Sequence, residues 1–500
     1  MTERILIIGS GAREHAIAAA LARSPQSPEL LCFGSTRNPG IAALTRAYIS
    51  GNINDPAAVV AFAREHNATL AIIGPEGPLA AGVADALWSA SIPTVGPTQS
   101  LARIESSKSF TRSLLERHRI PGNPIFQRFA TRAEIEAGVE ALLNRLGDKH
   151  VIKDDGLAGG KGVKVFGDHL QSRAESHAFA NELLAAGHPF VVEEKLEGEE
   201  FSLLSFSDGT TLRHMPAVQD HKRAFNGDRG PNTGGMGSYT DADGSLPFLT
   251  PADIATAQRT NELVIAALHR ELGQPYRGIL YGGFMATRSG VRLIEYNARF
   301  GDPECLNLLS LLETDLVAIC RAIVSGTLHS LDVVFTRAAT VCKYLAPDGY
   351  PDHPRKGDPV PVPRTLPPST IVYLGSVDLG SVDMKQDETN RTVAATLVTA
   401  GSRTLAVVAR GDTLAEAESS SESVVASIPG PFFHRSDIGT SALIGRRVEH
   451  MNSLRSNSAK LASSSSCSLA TCASFLRTSS PSGAAACSTC ILRCCPPSPA

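Results

Sequence analysis

The stretch Leu293-Ile294-Glu295-Tyr296-Asn297-Ala298-Arg299-Phe300-Gly301-Asp302-Pro303-Glu304 concentrates more chemistry than any other part of the chain. Val291 to Tyr296 reads as a strand, with apolar residues at alternate positions after the turn signal Ser289-Gly290. Side chains alternate across a strand, so Glu295 and Asn297 point the same way. Two neighbouring hard oxygen donors suit Mg²⁺, which takes few protein ligands and completes its shell with phosphate and water. Arg299 follows as a bidentate anion holder, and Gly301-Asp302-Pro303 forces a turn. An isolated Glu-x-Asn would be an edge strand with a polar face. The Arg-Phe-Gly-Asp-Pro-Glu behind it favours a site.

A metal beside phosphates needs cations and backbone donors near it. His150-Val151-Ile152-Lys153 reads as a strand, followed by Asp154-Asp155-Gly156-Leu157-Ala158-Gly159-Gly160-Lys161-Gly162-Val163. Glycines around a lysine between two strands predict a flexible flap whose N–H groups close on phosphates. It is not a Walker loop, because the Gly-Lys-Ser/Thr ending and the following helix are absent. Lys153 and Lys161 would supply positive charge there; the alternative is a hairpin with solvated lysines. Phe190 to Leu196 is the next strand. The backbone of Lys195 and Leu196 and the Glu193 carboxylate could read a base and ribose, or Glu-Glu-Lys could be a plain solvated strand end. Gln219-Asp220-His221-Lys222-Arg223 and Asp228-Arg229-Gly230-Pro231-Asn232-Thr233-Gly234-Gly235-Met236-Gly237 carry too much glycine for helix or strand, and predict a functional loop.

These segments need a scaffold. Arg4–Gly9 is a short strand running into Gly9-Ser10-Gly11-Ala12-Arg13-Glu14 and an Ala-rich helix. The turn resembles a dinucleotide fingerprint whose third glycine is replaced by Glu14, which makes NAD binding the minority reading; a strand, turn and helix N-terminus still form an anion site. Strands at Leu30–Phe33, Leu70–Gly74 and Thr94–Gly96, with helices near Pro56–His66 and Pro78–Ser89, complete a doubly wound α/β layer. Glu76 in Gly74-Pro75-Glu76 is a candidate for a substrate amine or hydroxyl, or a helix-capping acid. Residues from about 338 to 429 read as small β-rich structure.

With 500 residues, 42% hydrophobic, the chain has room for several domains. A net charge of -3 gives no reason to expect nucleic acid or membrane binding, and no apolar run is long enough to span a bilayer. Scattered Cys32, Cys305, Cys320 and Cys342 read as reduced core thiols, and the N-terminus as a strand lead-in without a cleavage site, so a cytoplasmic body is expected. From about His450 the sequence turns Ser-, Ala- and Cys-rich without periodicity. Cys487-x-x-Cys490 has no matching second pair for a metal.

The motifs Gly9 to Ala16, Gly74-Pro75-Glu76, Lys153 with Gly159-Gly160-Lys161-Gly162, Gln219 to Arg223, Gly230 to Gly237 and Arg299 to Glu304 together resemble the phosphoribosylamine–glycine ligase family of ATP-grasp enzymes in purine biosynthesis. The resemblance spans about residues 3 to 442. It implies an α/β and α+β multidomain fold: an N-terminal doubly wound domain (1–105), an ATP-grasp core (106–330) with a mobile lid (122–195), a small β-rich C-terminal domain (331–445), and a tail (446–500) that is disordered or frame-shifted. It implies ATP with Mg²⁺ or Mn²⁺ at Glu295 and Asn297, and glycine and 5-phosphoribosylamine as substrates, with other purine-pathway enzymes as conceivable partners. Lys108, Lys153, Gly159, Gly160, Lys161, Gly162, Glu193, Lys195 and Leu196 would hold ATP. Asp220, Lys222, Asn232, Gly234, Arg299, Gly301 and Asp302 would line the acceptor site. Gly9, Gly11, Glu14 and Glu76 would meet the phosphoribosylamine. Arg299, Asp302 and Lys161 would be catalytic. The rivals are an inactive or truncated part of a bifunctional purine enzyme and another ATP-grasp carboxylate–amine ligase.

Overall fold

Ile5 to Ile8 are four consecutive aliphatic side chains, all fully buried. A strand buried on both faces belongs in a parallel sheet covered by helices. The computed structural model, which describes residues 2–157, 162–363, 365–380 and 396–457, places it there. β1 (Arg4–Ile8), β2 (Glu29–Gly34), β3 (Ala47–Ser50), β4 (Leu70–Ile73) and β5 (Thr94–Val95) form a parallel sheet of order β3-β2-β1-β4-β5. The order reverses between β1 and β4, and ligands of such sheets collect at that switch point. The ends of these two strands carry Gly9–Glu14 and Gly74–Glu76. The single helix expected over Pro78–Ser89 is two, Glu76–Ala80 and Val83–Ser89, broken at Gly82.

A second, antiparallel sheet of order β6-β9-β7-β8 is built from β6 (Phe126–Phe129), β7 (His150–Asp154), β8 (Val163–Val165) and β9 (Phe190–Glu194). Its helices Arg132–Leu146 and Arg173–Ala185 close a core of its own around Phe129, Leu143, Ile152 and Phe190. Residues 158–161, which fall between β7 and β8 in the sequence, lie outside the described residues.

The third sheet holds the metal-type strand. It gathers β10 (Gly198–Asp208), β11 (Leu212–Asp220), β14 (Gly237–Thr240), β15 (Arg277–Thr287) and β16 (Gly290–Asn297), with β12 (Arg223–Phe225) and β13 (Arg229–Asn232) pairing as a separate hairpin. The segment predicted as an unbroken loop thus contains strands. Arg435 fastens this hairpin, donating to the Arg223 carbonyl at 3.3 Å and to Asp228 at 2.7 Å. The β-rich C-terminal region adds β17 (Ala339–Pro347), β18 (Thr370–Leu374) and β21 (Leu405–Gly411) to the same sheet through the β14–β17 pairing, while β19 (Val377–Leu379) and β20 (Leu397–Thr399) pair apart.

The chain divides into two units, Met1–Met451 and Asn452–Ala500. In the first, residues 441–451 are helical, and in the second, residues 452–457. The expectation of disorder from residue 446 is therefore corrected up to 457. Arg447 pairs with Glu199 at 3.1 Å and with Asp228, and His450 with Glu199 at 2.6 Å, contacts that hold the helix down. Residues 458–500, including Cys487 and Cys490, lie outside the described residues. No helix among the described residues is long and apolar enough to cross a membrane.

Candidate active site

A cleft of about 790 Å³ runs between the three sheets. β16 brings the metal-type pair to it by a device that alternation alone does not show. Strict alternation would put Glu295 on the face of Leu293, which is fully buried. The register slips by one residue at Ile294, between Phe284 opposite Leu293 and Gly283 opposite Glu295. Leu293 and Tyr296 therefore fill the core, while Glu295 and Asn297 open on the cleft. Arg112, in the helix Lys108–Arg117, holds this bulge by donating to the carbonyls of Leu293 at 3.1 Å and Ile294 at 2.6 Å.

Cations surround the pair. Lys222 Nζ lies 3.9 Å from Glu295 and 3.6 Å from Glu200. Burial opposes ionisation of Glu295, but Lys222, Lys153, Lys108 and Arg299 outweigh it and keep its carboxyl below the usual range. Burial likewise opposes charge on Lys222, and Glu200 and Glu295 overcome it to raise its pKa. Lys108 Nζ donates to the Gly156 carbonyl at 3.0 Å, and burial lowers its pKa despite Glu295. Lys153 Nζ sits 2.8 Å from Glu193, whose oxygens also accept from Arg112 at 2.7 and 2.9 Å. Burial resists ionisation of Glu193, yet Arg112 and Lys153 pull its carboxyl down to about 2. Glu193, expected to read ribose, lines the cleft with its carboxylate engaged by Arg112 and Lys153. Lys195 and Leu196 line the cleft beside it.

At the other end, Arg299 lies 3.3 Å from Glu76 and 2.9 Å from Glu105. Glu105 also accepts the Ala298 N–H at 2.7 Å, so it fixes the turn that carries Arg299. Burial, then Arg299 and Arg13, act on Glu76, and the arginines win, holding its carboxyl low. Asp220, beside Glu304, has its carboxyl pushed well above the usual range by burial and by that neighbour. Asp302 accepts from the Tyr344 hydroxyl and from Arg403 at 3.1 Å. Asn232, Gly234, Gly301 and Gly162 also line the cleft.

Gly9, Gly11 and Glu14 do not line it. The Glu14 carboxylate turns inward, accepting the Gly11 N–H at 2.6 Å and Arg13 Nε at 2.6 Å. It packs so closely on the end of β4 that a Cβ on Gly74 would fall 2.0 Å from its Oε1. The donor expected for a substrate anion is therefore occupied by the chain's own acid, and Arg13 is the side chain of this turn that reaches the cleft. Gly159, Gly160 and Lys161 lie outside the described residues. Sequence reasoning missed Arg13, Glu105, Arg112, Glu200, Tyr344 and Arg403. Arg13 stood inside the Gly9–Glu14 turn already singled out. The others are single residues with no local pattern, found only through partners far along the chain.

Comparison with known proteins gives a consistent set of matches. The phosphoribosylglycinamide synthetase profiles match as N domain over residues 3–105, ATP-grasp (A) domain over 106–305 and C domain over 340–441. Phosphoribosylamine–glycine ligase of Methanosarcina acetivorans is 45% identical over 455 residues, covering 91% of this chain and 98% of the relative. That of Methanocaldococcus jannaschii is 43% identical over 460 residues, covering 90% of this chain and 100% of the relative. The crystal structure of phosphoribosylamine–glycine ligase from Thermotoga maritima superposes with a TM-score of 0.69 at 27% identity, covering 87% of this chain and 99% of that one. Biotin carboxylase from Campylobacter jejuni, solved with a β-γ-ATP ligand, superposes at 0.62 with 14% identity, covering 90% of this chain and 95% of that one, and shares the fold alone.

Proposed function

Because the chain belongs to the phosphoribosylglycinamide synthetase family and is an ATP-grasp ligase of purine biosynthesis, we propose that it joins glycine to 5-phosphoribosylamine through a glycyl phosphate, in the cytoplasm. A carboxylate does not acylate an amine at neutral pH, because the oxygen it must expel is a poor leaving group. ATP removes that obstacle. The glycine carboxylate attacks the γ-phosphorus and ADP leaves. The amine of phosphoribosylamine then attacks the acyl carbon, phosphate leaves, and glycinamide ribonucleotide forms. Positioning and charge neutralisation dominate the first step.

The supporting observation is one cleft that brings Glu295, Asn297, Lys153 and Lys222 together with Arg299, Asp220, Asp302 and the glycine-rich loop. Glu295 kept ionised beside the neutral oxygen of Asn297 fits Mg²⁺ or Mn²⁺. No group of three or more His, Cys, Asp or Glu among the described residues could close around a metal, so an ion here would share its shell with nucleotide oxygens. When bound, it would neutralise phosphate charge.

In this reading Lys153, Lys108 and Lys161 hold the phosphates, with Gly159, Gly160 and Gly162 closing over them to exclude water from a labile acyl phosphate. The backbone of Lys195 and Leu196 holds the base. Arg299, poised by Glu105, takes the glycine carboxylate. Asp220 lines the acceptor end beside Lys222. Lys222, Asn232, Gly234, Gly301 and Asp302 shape the acceptor end, and Glu76 and Arg13 face the phosphoribosylamine. The test is ADP release from ATP and Mg²⁺ with freshly generated phosphoribosylamine. Release that requires both this amine and glycine supports the assignment, and release indifferent to glycine removes it.

A further inference from the structure

Arg403, in the turn between β20 and β21, reaches the glycine-rich loop from a distant part of the sequence. Its Nη1 donates to the carbonyls of Gly234 at 2.9 Å, Gly235 at 2.8 Å and Asp302 at 3.2 Å. Its Nη2 donates to Asp302 Oδ2 at 3.1 Å. The guanidinium lies 4.3 Å from the centre of the Tyr344 ring, and the Tyr344 hydroxyl donates to the other Asp302 oxygen. Both oxygens of Asp302 are thus held by side chains of the C-terminal region.

We propose that Arg403 is a positioning residue for the acceptor end of the cleft: it locks Gly234–Gly235 to Asp302, and so sets glycine affinity and the coupling of ATP cleavage to amide formation. The inference rests on the function proposed above. Two adjacent glycines cost the most conformational freedom to order, and have no side chains with which to hold themselves. A planar guanidinium can bridge two carbonyls and a carboxylate at fixed angles, which an ammonium cannot do. Contact with the loop backbone is close: a Cβ on Gly234 would lie 3.0 Å from Arg403 Nη2. Among the described residues, the side-chain hydrogen bonds of Arg403 go to Gly234, Gly235 and Asp302 at the acceptor end, so the nucleotide end should be spared.

The experiment uses the full chain, first confirming in the wild type that ADP release needs both glycine and phosphoribosylamine. Arg403→Met is then expected to raise KM for glycine by about tenfold or more, leave KM for ATP within about twofold, and release ADP in excess of amide formed. Hydrogen exchange at the Gly234 and Gly235 amides should quicken. Arg403→Lys should show the same pattern more mildly, and decides the matter if the Met variant does not fold. Adding Asp302→Asn to Arg403→Met should cost less than the two single losses multiplied together. An unchanged glycine KM with one amide per ADP overturns the proposal. So do equal rises in both KM values, which would mean a merely structural role. If the wild type does not need glycine, the functional reading fails instead, while loop exchange in Arg403→Met still tests the clamp.

Discussion

Arg112 donates to both carboxylate oxygens of Glu193, at 2.7 and 2.9 Å, and with the same guanidinium to the backbone of Leu293 and Ile294. One buried cation therefore ties β9 to the bulge that turns Glu295 into the cleft. Losing Arg112 would leave Glu193 with Lys153 alone and take the side-chain donor from the Leu293 and Ile294 carbonyls. Arg112→Met is expected to destabilise the chain by about 3 kcal/mol in equilibrium denaturation. Adding Glu193→Gln should recover part of that loss. Stability unchanged in Arg112→Met would contradict the tie.

Glu295→Ala is expected to abolish turnover while the fold persists. Its side chain is 35% exposed, and Lys222 keeps Glu200 as a partner 3.6 Å away. The variant should also lose Mn²⁺ binding in the presence of ATP, read by electron paramagnetic resonance. A normal kcat would remove the metal assignment.

His15 Nδ1 accepts the Leu374 N–H at 2.9 Å and its ring meets the Tyr373 ring edge-on, tying the helix Ala12–Ala22 to β18. Burial lowers its pKa from 6.5 to about 4. A proton on Nδ1 would set donor against donor. The unfolded chain takes up that proton below pH 6.5 and the folded chain resists until about 4. The stabilisation is thus complete above 6.5 and lost as pH falls through that window. The unfolding free energy should fall across it by up to about 3 kcal/mol more in wild type than in His15→Asn, which keeps an acceptor but does not titrate there. Parallel curves would refute this.

Gly74→Ala should displace Glu14, since the added carbon would fall 2.0 Å from its Oε1. A loss of about 1–3 kcal/mol is expected, the usual range for overpacking. In the Glu14→Ala background the same change should cost far less, which thermal melts of the four combinations would show.

Apolar alternation behind a turn signal makes β16 legible from the sequence: Val291–Tyr296 is expected as a strand and Gly290–Asn297 forms one. Glu295 and Asn297 were rightly expected to share a face, but the bulge at Ile294 that sends that face to the cleft depends on β15 and Arg112, which no local pattern displays. Counting glycines misjudged the segment after Gln219, because the β12–β13 hairpin is fastened from outside by Arg435. The helix past residue 446 went unseen for a similar reason: its anchors, Glu199 and Asp228, lie more than two hundred residues away. Arg403 illustrates the same limit, standing 101 residues from Asp302. The motifs named the chemistry, and the groups that aim it came from contacts between distant segments.

In the proposed reaction one oxygen of the glycine carboxylate is transferred to phosphorus and leaves in the phosphate. Glycine labelled with ¹⁸O in its carboxylate, turned over with ATP and phosphoribosylamine, tests it by mass spectrometry of the phosphate released. The account predicts one labelled oxygen in each phosphate formed. Unlabelled phosphate, with amide formed in equal amount, would contradict it.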